Sequence, residues 1–326
     1  SFPTRRSSDL HKCLVIFPGE RPVYFLRKRL VSRAGKAIRS PSLFSMEGFI
    51  SDFYAANAAP RRDATLFDSL SLLFKLMQNG FCGSFVPEGT LGNDFLLSLA
   101  MSLSEELEEI KNELIRPEDI ASYDVLLQDE IRKGFASEFY GGNGPAEAKI
   151  SGKIKDFSSL YRHFYEEMEL SGLITQAGKS AWTADFIKPA HLSKYKRIFA
   201  AGFLRLARSE KKIFSALEEA GADIFLDSNP LTGKYYPFFK DDCAKCAEPE
   251  GKISFFRAAD SHGEIYRLAS MLALEENPHE EGSAVVLPDA NTLFPLILNA
   301  IPEKQDFNVS MQCPITVSPV YSLYRS

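Results

Sequence analysis

The stretch Leu14-Val-Ile-Phe-Pro-Gly-Glu-Arg-Pro-Val-Tyr-Phe-Leu-Arg-Lys-Arg-Leu30 decides how the chain folds. Residues 13–17 are an unbroken apolar run, which predicts a strand covered on both faces, and residues 23–30 place apolar side chains at helical spacing. Between them lies a tight turn, Pro18-Gly19-Glu20-Arg21-Pro22. Strand, turn and helix are the frame of a phosphate loop, which needs converging backbone N–H groups, a lysine and a serine or threonine for magnesium. Between Phe17 and Phe25 there is one glycine, no lysine and no serine or threonine, and Pro18 and Pro22 each remove a donor. ATP hydrolysis is not expected here. Two accounts stay open: a structural βα turn, or a degenerate nucleotide or DNA contact made through Arg21.

Moving outward, residues 40–44 read as a loop or strand and residues 46–54 as a helix, with Ser45 at its N-cap. From residue 64 to about 188 the periodicity is helical, over 66–77, 95–114, 120–139 and 153–170. Pro117-Glu118-Asp119 opens one of these helices, with proline and acids in its first turn. Alternation then returns: a strand at 197–203, a helix at 209–220 and a strand at 223–227. Further strands are expected at 252–256, 283–288 and 307–311, with helices at 263–276 and 291–301. The expected fold class is α/β, with a parallel sheet interrupted by a large all-helical insertion.

At 326 residues the chain is long enough for two or three packed units, and 45% hydrophobic residues can bury a sizeable core. A formal charge of −5 gives no overall basic footprint, so any DNA contact has to be local. No apolar run reaches membrane-spanning length and the N-terminus lacks the apolar stretch of a signal peptide, so a soluble, cytoplasmic protein without membrane contact is expected. Cys13, Cys82, Cys243, Cys246 and Cys313 are odd in number and scattered, which fits a reducing compartment. The first ten residues, SFPTRRSSDL, resemble a translated sequencing adapter and are set aside from the fold, and both ends are expected to be cut.

The residues offer little catalytic chemistry. Cys243-Ala-Lys-Cys246 has the spacing of half a zinc site, but no second pair follows, so a surface loop with two free thiols is expected. Glu105, Glu106, Glu108 and Glu109 read as a solvated acidic helix face partly balanced by Lys111. Trp182 and the five histidines read as packing or surface residues, and no nucleophile signature or dinucleotide fingerprint occurs. Basic residues group at Arg27-Lys28-Arg29 and again at Lys194, Lys196, Arg197, Arg205, Arg208, Lys211 and Lys212. Beside aromatic residues such groups suit a phosphate backbone and stacked bases, and ordinary solvated helix faces explain them equally well.

The order of segments says more than any single motif. "LVIFPGERPVYFLRKRL", "SPSLFSMEGFISDFY", "RIFAAGFLRLARSEKKIFSALEEAGADIFLDSNP", "SFFRAADSHGEIYRLASMLALE", "SAVVLPDANTLFPLILNAIP" and "FNVSMQCPITVSPVYSL" follow one another. In that order they resemble the N-terminal part of AddB/RexB-type helicase–nuclease subunits of the PD-(D/E)XK nuclease family. The likeness runs over most of 14–323 and is weakest in the helical insertion. It departs at Met311-Gln312-Cys313-Pro314, where the family usually has a glycine after the methionine and an aromatic residue before the proline.

The resemblance implies an inactivated UvrD-like helicase architecture. Residues 11–63 and 189–232 would form a first RecA-like domain, 64–188 a helical insertion within it, and 233–326 the truncated start of a second RecA-like domain. It implies a DNA-binding scaffold without catalysis of its own, acting in double-strand break repair and end resection. Its partners would be single-stranded DNA or duplex ends and an AddA/UvrD-like ATPase subunit. The nuclease site, with its magnesium and often an iron–sulphur cluster, would lie beyond Ser326. Along the sheet edge where UvrD-like proteins run single-stranded DNA, the resemblance points to Arg21, Arg27, Ser45 and Arg205, and it makes Pro18, Gly19, Glu20 and Arg21 a degenerate nucleotide loop. The rivals are an unrelated α/β enzyme of transferase type, with its site around residues 202–205 and 288–291, and a non-catalytic interaction protein.

Overall fold

The computed structural model describes residues 10–35, 39–81, 83–85, 92–122, 145–225, 254–274, 284–301, 307–311, 321 and 323. They divide into two units, Ser1–Cys246 and Ala247–Ser326. The first is built on strand β1, Cys13–Phe17, whose three central residues are buried. Helix α1, Glu20–Ala34, follows, then β2, Ser42–Ser45, and α2, Met46–Asn57. Farther along come β5, Arg197–Ala201, α7, Arg208–Glu219, and β6, Asp223–Phe225. All four strands run parallel in the order β2-β1-β5-β6.

Alternation along β1 explains its continuous apolarity. Leu14 and Ile16 point into the main core with Met46, Phe49, Ile50, Ile198, Ile213 and Phe214. Val15 points the other way, into a smaller cluster with Val23, Leu43 and Phe199 against which Phe17, Leu26 and Leu30 pack. Each face of the strand therefore has a helix layer to bury against, as a parallel sheet requires. The α1 side is thin, because Val23 is the single buried residue of that helix.

Between α2 and β5 the chain makes a helical layer. It holds α3, Leu66–Gln78, α4, Asn93–Asn112, and α5, Pro145–Leu170. Their shared core includes Leu73, Leu76, Leu103, Leu107, Leu160, Tyr161, Phe164 and Met168. Thr65 and Asp68 cap α3 reciprocally, which starts the layer at a defined residue. The layer leaves and re-enters through a two-stranded parallel ladder, β3, Arg62–Asp63, against β4, Leu173–Ile174. Helix α6, Gln176–Phe186, comes next. Although it lies within the expected insertion of 64–188, its Ala184 and the following Ile187 belong to the main core of the sheet, with Trp182 packed against it. Helix α6 thus packs on the core of the sheet and, at its N-terminus, on α4 of the helical layer.

Lys179 of α6 ties these parts together. Its side chain is 7% exposed and its Nζ lies 2.8 Å from the Asp63 carboxylate in the ladder.

In the second unit the described residues form α8, Ser261–Leu274, and α9, Leu293–Asn299, on a small cluster of Ile265, Leu296 and Ala300. The strands expected at 252–256, 283–288 and 307–311 do not form among the described residues, which run there without ladder pairing. An apolar run becomes a strand only when a neighbouring strand takes its N–H and C=O groups. Here the run stays open, with Phe255 93% and Val286 88% exposed. Residues 226–250, which include Cys243 and Cys246, and most of the helix expected at 120–139 lie outside the described residues.

Candidate functional site

In an open parallel sheet the natural ligand position is the crevice at the C-terminal strand ends where the connections part in opposite directions. From β1 the chain moves to β2 on one side, and from β5 it moves to β6 on the other, so the crevice lies between β1 and β5. Its floor is made by the turn after β1 and the segment after β5. Gly202 adopts a left-handed φ of 81° there, and a Cβ at that position would sit 3.7 Å from the Pro18 ring.

The turn after β1 is shorter than its sequence suggests. Glu20 and Arg21 are the first two residues of α1, which leaves Pro18 and Gly19 alone between strand and helix. Two residues cannot wrap a phosphate, and the N-cap Gly19 supplies no side-chain cap. The α1 N-terminus already carries a carboxylate: the Ser45 hydroxyl donates a hydrogen bond to Glu20 Oε1. The same oxygen, Ser45 Oγ, accepts the Gly48 N–H at 3.0 Å and so caps α2.

Magnitudes decide what this end can bind. A helix N-terminus favours an anion by roughly 0.3–1 kcal/mol at an exposed site. Two like charges about 4 Å apart repel by about 1 kcal/mol in water and about 4 kcal/mol near a protein surface. With Glu20 in place, a phosphate gains nothing from the N-terminal end of α1, and the turn Pro18-Gly19 holds no lysine to offset the repulsion.

The residues expected at DNA separate into groups. Arg21 and Arg27 are exposed on α1. Arg205 is exposed in the segment after β5 and lines a cavity of about 150 Å³ with Glu113, Leu206 and Lys211. Ser45 is 3% exposed, with its hydroxyl used by Glu20 and Gly48, so it shapes the edge instead of facing it. Arg21 thus follows β1 and Arg205 follows β5, both past C-terminal strand ends, Arg27 sits farther along α1, and Ser45 is buried at the end of β2.

Two features escaped the sequence. Glu108, read as part of a solvated acidic face, turns inward: its Oε2 accepts the Ala177 N–H of α6 at 2.9 Å and its Oε1 accepts from the Tyr165 hydroxyl at 3.0 Å. Burial, together with the Glu108 charge, pushes the Tyr165 hydroxyl well above the usual tyrosine range. Beside it a cleft of about 400 Å³ is lined by Lys111, Tyr161, Tyr165, Asp185 and Lys212, among others. Burial lowers the Lys111 ammonium from its ordinary value, although the Asp185, Glu108 and Glu169 charges act in the opposite direction. The Lys111 Nζ stands 4.5 Å from the Tyr165 ring centre, while Lys212 pairs with Asp185 at 2.9 Å. The second feature is Glu210 at the start of α7. Its Oε2 accepts the Ala207 N–H at 2.9 Å, and burial raises its carboxyl above the ordinary carboxylate value, assisted by nearby Glu113.

Among the described residues no three His, Cys, Asp or Glu side chains gather closely enough to hold a metal ion, and no helix is long and apolar enough to cross a membrane. No protein-family model matches the chain, and no curated protein matches it.

Proposed function

We propose that this chain is the helicase-like half of an AddB/RexB-type helicase–nuclease subunit, serving as a DNA-binding scaffold that does not hydrolyse nucleotide. The observation that carries the proposal is the β1–α1 junction. It keeps the strand–turn–helix frame of a phosphate loop, yet the turn has two residues and a carboxylate stands where a phosphate would bind. The order of segments from "LVIFPGERPVYFLRKRL" to "FNVSMQCPITVSPVYSL" supports the same account.

In this reading the architecture is UvrD-like. Residues 11–63 and 189–232 form the first RecA-like domain, 64–188 its helical insertion, and 233–326 the start of a second. The scaffold holds single-stranded DNA or a duplex end beside an AddA/UvrD-like ATPase subunit in the cytoplasm, during end resection for double-strand break repair. Nuclease chemistry, with magnesium and an iron–sulphur cluster, belongs to a separate domain outside these residues. Arg21, Arg27 and Arg205 contact the strand through phosphates, and Ser45 positions the edge.

Fluorescence anisotropy with a labelled single strand and a labelled duplex tests the proposal. The chain binds DNA with strong salt dependence, and the Arg21→Ala/Arg205→Ala variant binds at least about tenfold more weakly. Absence of binding at low salt to either DNA contradicts it.

A further inference from the structure

Helix α1 covers the sheet with one narrow stripe, Val23, Leu26 and Leu30. The opposite face carries Arg21, Tyr24, Phe25 and Lys28, spaced i, i+3, i+4, i+7, which places all four on one side of the helix. Tyr24 is 60% and Phe25 48% exposed, and their rings meet edge to face with centres 5.6 Å apart. Farther along, Val31 is also exposed.

The charge of this helix is one-sided. Arg21, Arg27, Lys28, Arg29 and Arg33 are all exposed, and none makes an ion pair among the described residues. The single acid, Glu20, is engaged by Ser45. The chain as a whole has a formal charge of −5, so this concentration of cations runs against the background. A surface of unpaired cations interleaved with open aromatic rings complements a polyanion that also offers flat apolar faces.

We propose that the outer face of α1 is a stacking platform for single-stranded nucleic acid. Tyr24 and Phe25 take unpaired bases, and Arg21 and Lys28 hold the phosphates on either side. Seven residues of helix separate the two cations by about 10 Å along the axis, a span that fits about two bases. A duplex keeps its bases stacked inside and cannot use the rings, so the platform selects single strands. Arg27 lies toward the flank of this face, nearer the covered stripe, and plays the smaller part. The proposal rests on the DNA-scaffold reading, and it goes further by naming the strand state, the surface and the mode of contact.

The test uses the full chain and three labelled 20-mers: oligo-dT, the same length with abasic sites throughout, and a duplex. Variants are Tyr24→Ala/Phe25→Ala and Arg21→Ala/Lys28→Ala, with thermal unfolding showing that each folds like the parent. The platform predicts that oligo-dT binds at least about tenfold more tightly than the abasic strand or the duplex, because each base–aromatic stack contributes on the order of tenfold. The aromatic variant loses that preference and binds oligo-dT no better than the parent binds the abasic strand. The Arg21→Ala/Lys28→Ala variant weakens all three, and Arg27→Ala weakens them less. If the aromatic variant binds oligo-dT like the parent, the platform is wrong while the scaffold reading stands. Equal binding of oligo-dT and abasic strand likewise overturns stacking. No binding of any DNA by the parent overturns both readings. Binding to phosphatidylserine vesicles through the same four residues, without binding to oligo-dT, overturns the platform in favour of a lipid surface.

Discussion

The Ser45 hydroxyl donates to the Glu20 carboxylate, joining the end of β2 to the first turn of α1 across the C-terminal edge of the sheet. One oxygen serves two helices, since it also caps α2 at the Gly48 N–H. Ser45→Ala removes both contacts. The expected cost is about 1 kcal/mol, within the roughly 0.5–2 kcal/mol of a lost N-cap, and urea unfolding reads it. Ser45→Asn keeps a capping acceptor and recovers most of the loss; a variant as destabilised as the alanine one would show that the cap is not the cause.

The pair of Lys179 with Asp63 is asymmetric in burial, 7% against 73% exposed, and this sets the direction of two substitutions. Asp63→Ala leaves an ammonium inside the protein without its counter-charge, and is expected to cost about 2–3 kcal/mol. Lys179→Met removes the charge and keeps most of the volume, leaving Asp63 in solvent, and is expected to cost under about 1 kcal/mol. Denaturant midpoints for the two variants check the order. Equal losses would mean that Lys179 is not held as an isolated buried charge.

Glu210 gives a pH dependence of defined sign. Its carboxyl is raised above the ordinary value chiefly by burial, so the fold favours the protonated form. Its contribution to stability is complete below the ordinary carboxylate value and is lost as pH rises through the raised one. Glu210→Gln keeps an acceptor for the Ala207 N–H without a charge to desolvate. The variant therefore gains on the parent between about pH 4 and about pH 7, by less than about 1 kcal/mol because Glu210 is partly solvated. Thermal unfolding at both pH values measures the gap, and a gap that shrinks toward neutral pH contradicts the assignment.

The parts of the fold with a strong local period were legible in the residues. Cys13–Phe17 is a strand over the same five residues as its apolar run, and Ser45 is an N-cap. Helix α7 lies within one residue of its expected bounds. What could not be read depends on partners distant in sequence. Two-residue strands such as Arg62–Asp63 and Leu173–Ile174 have no period and exist only because they meet each other. The apolar runs around Phe255 and Val286 have a strand's composition and, among the described residues, no ladder. Glu108 looks like its acidic neighbours in sequence, and only the arrival of the α6 N-terminus makes it a half-buried acceptor.

The candidate site was legible in the same uneven way. The missing lysine and hydroxyl of the β1–α1 turn could be seen in the residues, but the start of α1 at Glu20 and its contact with Ser45 could not, since β2 supplies the partner. Arg21 stands out in the residues as a candidate DNA contact and is exposed on α1, whereas Lys28, which shares its face, stands in a run of three basic residues that sequence order cannot rank. Helical geometry ranks them.

The central claim is that this chain binds DNA through a helicase-shaped surface whose nucleotide site has decayed. ATP turnover by the purified full chain, measured with magnesium in the presence and absence of saturating oligo-dT under conditions where anisotropy shows the strand bound, tests it most directly. The account predicts a bound strand and no turnover above the buffer rate, with or without DNA. DNA-stimulated hydrolysis that disappears on substitution of Gly19 or Arg21 would contradict it.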